Sequence, residues 1–348
     1  MNKSAPNVKK AKAHVRAFHA SLDKAHDHAA IEDCLAQFTA VDWLWRGMHP
    51  FYEQTGATDV VNIFWKPLKK SFTGLNRRPD VFFAGANDVD GGMSLWVCEM
   101  GHLLGGFDHD WLDIPATGRM CFLRYAEFHK FDGETIVESA LFIDILGVMK
   151  EAGVYPLPPM TGASFVQPGP KTHDGLLFDS QAPDETAKTI DLVNRMIDDL
   201  DALNKSGNDI PSPGSLAPFW HDDMIWFGPT GIGASFTIDG YQKQHQLPFR
   251  QYLGDKTYNG HIARIAEGNY LGFFGWPNLN NKNRGGFLGL PQSNVHAEMR
   301  IVDIYRRDGN KLAENWVFID LLHYLSMQGL DVLKRLRETR APRGSSGT

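Results

Sequence analysis

The stretch from Arg124 to Gly153 can be laid on the stretch from Arg300 to Gly329 without a gap, and nine of the 30 positions are identical. Among them are Asp132/Asp308, Glu138/Glu314, Asp144/Asp320 and Gly153/Gly329. Self-similarity at a fixed offset is the mark of duplicated structural units, so whatever this chain folds into is built twice. At the same offset of 176, Pro115 meets Pro291 and Thr117 meets Ser293. Further upstream the offset becomes 181, where Asp42, Trp45 and Gly47 align with Asp223, Trp226 and Gly228, and Pro67 aligns with Pro248. A chain of 348 residues has room for two cores of about 150 residues each.

Between the repeats, residues 156–183 hold six prolines and little periodicity, which reads as a surface linker outside either core. The expected organisation is a first unit over 10–155, that linker, a second unit over 184–338, and a disordered tail over 339–348. The order within a unit is helix first, then strands. Ile190, Val193, Ile197 and Leu200 recur at helical spacing, whereas "HAEMRIVDIYRR" and "KLAENWVFID" alternate with period two around a "DGN" turn. Each last strand runs into a short apolar segment closed by Gly153 or Gly329, as a helix with a glycine cap would be. The fold class is α+β.

Composition narrows the function classes. A net charge of −6 speaks against nucleic acid as a partner, and no segment has the apolar length of a signal peptide or a membrane span, so the expected location is cytoplasmic. Cys34, Cys98 and Cys121 are an odd number without metal spacing and read as buried thiols. The glycine-rich stretches "GPTGIGASF" and "NRGGFLGLP" match neither a phosphate loop nor a dinucleotide turn, so no cofactor is expected.

The motifs now in hand are W-x-G near the start of each unit, G-x-P-x-[ST] before a strand in the second, then R-x7-DG in both, E-x-W-x3-D in the second and a closing Gly. With these the chain resembles the SnoaL-like polyketide cyclases, within the superfamily of nuclear transport factor 2 and ketosteroid isomerase. The resemblance covers most of both halves. It implies two tandem cone-shaped units, each a curved antiparallel sheet wrapped around helices with an apolar pocket in its mouth. Two units in one chain then form an internal pseudo-dimer, with further self-association left open. The cyclases carry an acid/base Asp three residues before the final Asp of the motif, and here those positions are Leu141 and Val317. Polyketide-type aldol cyclisation is therefore not carried over.

Candidate catalytic groups are Asp144 and Asp320, either as general bases or as caps of the helices that follow. Glu127 and Asp303 occupy equivalent places on the preceding strand. One face of that strand in the second unit offers Met299, Ile301, Asp303 and Tyr305, the other Glu298, Arg300, Val302 and Ile304, and which faces inward is open. The first unit alone gathers His102, Asp108, His109 and Asp110, a set able to pass protons or to ligate a metal, or else a polar surface loop; no metal is assigned to it. Trp45, Trp226 and Trp316 are candidates for pocket walls or for core, and His296, Glu298 and Arg300 for polar ligand contacts. The expected ligand is a small hydrophobic carbonyl or ring compound. The function read from these residues is acid/base catalysis without a cofactor, of isomerase, lyase, cyclase or ester hydrolase type. The alternative is a binding or scaffold protein that keeps the cavity without the chemistry.

Overall fold

The computed structural model describes residues 7–206 and 215–340. The first unit opens with α1 (Val8–Lys24) and α2 (His28–Phe38), capped by Asn7 and Asp27, whose side chains accept from Lys10 N and Ala30 N. Ala11, Val15, Phe18 and Leu22 form the buried stripe of α1. Then follow β1 (Thr39–Gly47), β2 (Tyr52–Thr55), α3 (Ala57–Val60), a π-helical turn (Val61–Trp65) and α4 (Lys66–Ser71). The long strands β3 (Phe72–Ala86), β4 (Leu95–Phe107), β5 (Arg119–Phe131) and β6 (Ile136–Ile143) lead to α5 (Ile145–Glu151).

The second unit repeats this order. It comprises α6 (Pro183–Lys205), β7 (Trp220–Phe227), β8 (Ser235–Phe236), α7 (Thr237–Tyr241), a π-helical turn (Gln242–Gln246) and α8 (Leu247–Tyr252). After these come β9 (Leu253–Tyr258), β10 (Ala263–Glu267), β11 (Tyr270–Asn283), β12 (Ala297–Asp308), β13 (Lys311–Ile319), α9 (Leu321–Met327) and α10 (Val332–Arg340). Of the tail expected from 339, residues 339 and 340 end α10, and 341–348 lie outside the described residues. Pro67 and Pro248 sit in the first turn after each π-helical turn. A proline ring pushes away the carbonyl four residues back and donates nothing to it, so the helix widens there in both units.

The sheet orders are β2-β1-β6-β5-β4-β3 and β10-β11-β12-β13-β7-β8, with β9 also pairing β11. Each sheet is mixed: β1 runs parallel to β6, and β7 parallel to β13. The fully antiparallel sheet expected from the hairpins is corrected at this one joint, where most of a unit separates the paired strands and no tight turn dictates direction. The strand that is continuous as β3 in the first unit is broken into β9 and β10 in the second.

Helices fill the inner face of each sheet, and the two outer faces pack on one another. That second core joins Phe83, Trp96, Phe128 and Phe142 to Phe274, Ile304, Trp316 and Phe318. The approach is close enough that a Cβ on Gly85 would stand 2.5 Å from Ala266 O. Across the joint, Lys12 Nζ, 2% exposed, meets Glu267 Oε1 at 2.7 Å. Residues 156–182 are more than a surface connection. Gly162 and Ala163 bond the β8 approach at Ile232 and Ala234, Leu176 bridges Phe82, and Leu177 is buried between the sheets.

Candidate functional site

The two cones present the same ladder rungs with different contents. One rung carries Glu99, Glu127 and Leu141 in the first unit and Phe273, Asp303 and Val317 in the second. The next carries Val97, His129 and Ser139 against Leu271, Tyr305 and Asn315. Trp45 and Trp226 pair with Ser139 and Asn315, as the repeat offset of 181 implies.

In the first unit these positions close into an ionic network. Arg77 Nη1 donates to Glu99 Oε1 at 3.0 Å and to Glu127 Oε2 at 2.8 Å, and its Nε stands 3.5 Å from Asp23 Oδ1. Tyr125 donates its hydroxyl to Glu99 Oε1 at 2.6 Å. His19, reaching in from α1, sets Nδ1 at 3.2 Å from Glu99 Oε2. Its Nε2 lies 3.3 Å from His129 Nε2 and 3.4 Å from Glu127 Oε2. His129 Nδ1 meets Ser139 Oγ at 2.8 Å, and that hydroxyl also accepts from Trp43 Nε1 at 2.9 Å. Burial alone would raise both carboxyls, but His19 and Arg77 bring Glu99 down to about 2, and Arg77 with the two histidines holds Glu127 well below the carboxylate range. Glu127 is therefore a fixed anion in an ion pair, not the free acid/base group considered from sequence.

The second unit leaves the same space open, as a cavity of about 240 Å³. Its walls are apolar and aromatic: Met196, Ile197, Leu200, Trp226, Tyr241, Phe249, Phe273, Ile301, Val317 and Ile319. The break between β9 and β10 brings Tyr258 and His261 to the same cavity. Two carboxylates line it: Asp201, paired with Lys205 at 2.6 Å, and Asp303, half-buried on β12. Asp303 Oδ1 accepts from Tyr305 OH and Asn315 Nδ2, both at 3.1 Å, and Oδ2 has no protein partner among the described residues. Burial pushes the Asp303 carboxyl up to about 6, against the pull of those two hydrogen bonds.

Two imidazoles line the same cavity without charge. His245 stacks on Trp226 with ring centroids 3.9 Å apart, and burial pushes it down to about 3. His261 stacks on Phe273 at 3.9 Å and is likewise lowered to about 3, by burial and by Arg264. Arg264 donates to His261 Nδ1 from Nη2 at 3.1 Å, and a guanidinium only donates, so neutral His261 carries its proton on Nε2. Asn278 also lines the cavity, with its carboxamide oxygen taken by Ile301 N at 2.8 Å.

The structure thus orients the β12 strand that sequence left undecided. Ile301, Asp303 and Tyr305 face the cavity, while Val302 and Ile304 lie between the sheets. Other sequence candidates lie elsewhere. Asp144 caps α5 through Gly147 N at 3.0 Å and holds Thr230 of the other unit by its N–H and hydroxyl. Asp320 caps α9 through His323 N at 3.2 Å and accepts from His49 N of the first unit at 2.9 Å. Both are caps that clasp the two units, and Asp144 in addition lines, with His102, a polar cleft of about 280 Å³.

Trp316 stacks on Phe227 between the sheets and donates Nε1 to Pro168 O at 3.0 Å, so it is core. Trp45 packs against Phe51 and Phe64 in the first unit, and only Trp226 of the three tryptophans lines the cavity. His296 is exposed, Glu298 pairs with His323 at 3.1 Å, and Arg300 lies over Trp276, all away from the cavity. His102 sits beside Asp80 in a separate polar cleft with Arg124, Lys150 and Gln167. Asp108, His109 and Asp110 are exposed and form no cluster with it. All three cysteines are free and buried. Arg77, Glu99, His19, Tyr241, His245 and His261 were not singled out from sequence, because each enters its site from a distant element.

No protein-family model matches the chain, and the search of curated proteins finds no match. Solved structures that resemble it include a protein of Jannaschia sp. CCS1 named provisionally as a SnoaL-like polyketide cyclase, at 16% identity and a TM-score of 0.32, over 45% of this chain and 100% of that one. An NTF2-like protein of Burkholderia xenovorans LB400 aligns at 16% identity and TM-score 0.31, over 41% of this chain and 97% of its own. TsrD of Streptomyces laurentii aligns at 18% identity and TM-score 0.32, over 40% and 95%. Among the described residues no helix is long and apolar enough to cross a membrane. Solved structures similar to this chain thus include proteins named as SnoaL-like and NTF2-like, the group to which the sequence motifs point, and each of the three covers less than half of it.

Proposed function

We propose that the second unit is the working half of an enzyme that moves a proton on an uncharged hydrophobic carbonyl or ring compound, with Asp303 as the acid/base group. The observation that carries this reading is the placement of Asp303. It stands directly across the ladder from Val317, the position at which the resemblance expects the acid, and its free oxygen is in an apolar cavity. The cavity thus has a carboxylate on the strand beside the one where the resemblance expects it.

With its carboxyl raised to about 6, Asp303 is about nine-tenths ionised at pH 7 and still a stronger base than an exposed aspartate. It can take a proton from the carbon beside a carbonyl, and the resulting enolate either takes that proton back at another carbon, giving isomerisation, or expels a leaving group from the next carbon, giving elimination. Negative charge that develops on the substrate oxygen needs a donor that is not itself ionised. Tyr241 and Tyr258 line the same cavity and supply such donors, with neutral His261 placing Nε2 3.2 Å from the Tyr258 hydroxyl. The two neutral imidazoles and the aromatic walls favour an uncharged flat ligand, and a cavity of about 240 Å³ suits one or two rings, since benzene fills a cavity of roughly 150 Å³.

The test is a panel of one- and two-ring ketones and lactones, screened first by thermal shift and then for turnover by mass spectrometry. Turnover that is lost in Asp303→Asn while binding persists supports the proposal. Saturable binding with no turnover of any binder, unaltered in Asp303→Asn, leaves a carrier protein instead.

A further inference from the structure

The first unit has its own unexplained convergence, independent of the pocket chemistry of the second. His19 Nε2, His129 Nε2 and Glu127 Oε2 form a triangle with sides of 3.3, 3.4 and 3.8 Å. The point equidistant from the three atoms lies about 2.0 Å from each, and zinc binds imidazole nitrogen at about 2.0–2.1 Å and carboxylate oxygen at about 2.0–2.2 Å. We infer that His19, Glu127 and His129 form a buried binding site for a divalent transition-metal ion of the zinc type, which ties α1 to β5 inside the first cone.

The partners behind the triangle point the same way. Glu99 can only accept, so the 3.2 Å contact places a proton on His19 Nδ1, and Nε2, 3.4 Å from Glu127 Oε2, then carries either a second proton or a lone pair free for a metal. Ser139 Oγ, 2.8 Å from His129 Nδ1 and able to donate or accept there, holds that ring with its Nε2 toward the first without fixing its tautomer. Imidazoles oriented through Nδ1 by a carboxylate and a hydroxyl are the outer-shell arrangement of metal-bound histidines. The two imidazole nitrogens and the carboxylate oxygen aimed at one point repel unless a proton or a metal cation lies between them.

The charge count agrees. Glu99 and Glu127 are both buried anions, while one guanidinium, Arg77, lies within hydrogen-bond reach of them. The remaining charge is met by a proton on His19 or by a metal cation in the triangle. The second unit has no equivalent, since Asp303, Tyr305 and Phe273 stand where Glu127, His129 and Glu99 stand in the first.

The competing occupant is a proton on His19, and the experiment separates the two. The full chain, stripped with chelator, is given Zn2+ or Co2+ both when folded and during refolding, because the site is closed to solvent. One equivalent per chain by elemental analysis, a higher unfolding midpoint, and visible absorption of the Co2+ form are expected. His19→Gln and Glu127→Gln are expected to weaken binding by about 100-fold or more, and His109→Gln, an exposed control, to leave it intact. If a variant fails to fold, the wild-type chain labelled with 15N-histidine decides: zinc shifts the Nε2 resonances of His19 and His129. Unmoved resonances at saturating zinc, or metal uptake indifferent to both substitutions in folded protein, overturns the site and leaves a proton in its place.

Discussion

Replacing Asp303 by Asn separates the catalytic value of this carboxylate from its cost to the fold. Both hydrogen bonds to Asp303 end on Oδ1, from Tyr305 OH and Asn315 Nδ2, and an asparagine oxygen can accept both. The geometry should therefore survive. The folded carboxyl titrates at about 6 against an ordinary value of 3.8, because burial disfavours its charged form. An acid whose folded pKa is raised binds its proton more tightly in the folded state, so folding stability falls as pH rises from about 4 to about 6 and the loss is complete above that.

At pH 7 the loss is at most about 3 kcal/mol, and water in the cavity reduces it. Asp303→Asn is accordingly expected to be more stable than the parent at pH 7, by about 1–3 kcal/mol in urea unfolding, with the gain vanishing by about pH 4. The same substitution should lower turnover by about 10²–10⁴-fold, the usual contribution of a positioned proton-transfer group. A variant that is less stable at pH 7, or a gain that does not change with pH, refutes the argument that Asp303 is an uncompensated half-buried acid.

Arg77→Met removes the guanidinium from Glu99 and Glu127 and leaves two buried anions facing each other, so a loss of about 3–5 kcal/mol is expected in chemical denaturation of the first unit. Lys12→Met strands Glu267 between the units and should cost a similar amount, about 3–5 kcal/mol, with much of it recovered when Glu267→Leu is added. Trp316→Ala opens a hole between the sheets and should cost about 3–5 kcal/mol without changing ligand affinity in the second cone. Asp144→Ala should cost about 1–2 kcal/mol through the lost cap and its bonds to Thr230, with turnover of the folded protein unchanged.

The repeat was legible because its anchors are local: the DG turns, the capping aspartates and the closing glycines each fix their own backbone. It also carried register, since Trp45 and Trp226 sit on equivalent rungs. The inward face of β12 was not legible because both of its faces are apolar. One face lines a cavity and the other packs between two sheets, so alternation gives no contrast.

The difference between Glu127 and Asp303 was not legible either. They match in the repeat and differ by one methylene, yet Arg77 and His19 neutralise the first from 50 and 108 positions away. A two-residue irregularity near Pro277 shifts β11 against β4, which is why a single offset could not carry Glu99 onto Phe273.

The central claim is that Asp303 moves protons to and from carbon. It is tested most directly by incubating the protein in D2O with the ring ketones that bind it and following deuterium at the carbon beside the carbonyl. The account predicts exchange that rises with pH through about 6 and falls by at least about 100-fold in Asp303→Asn. Ketones that bind in the second cone yet exchange no faster than in buffer, or that exchange equally well with Asp303→Asn, would contradict it.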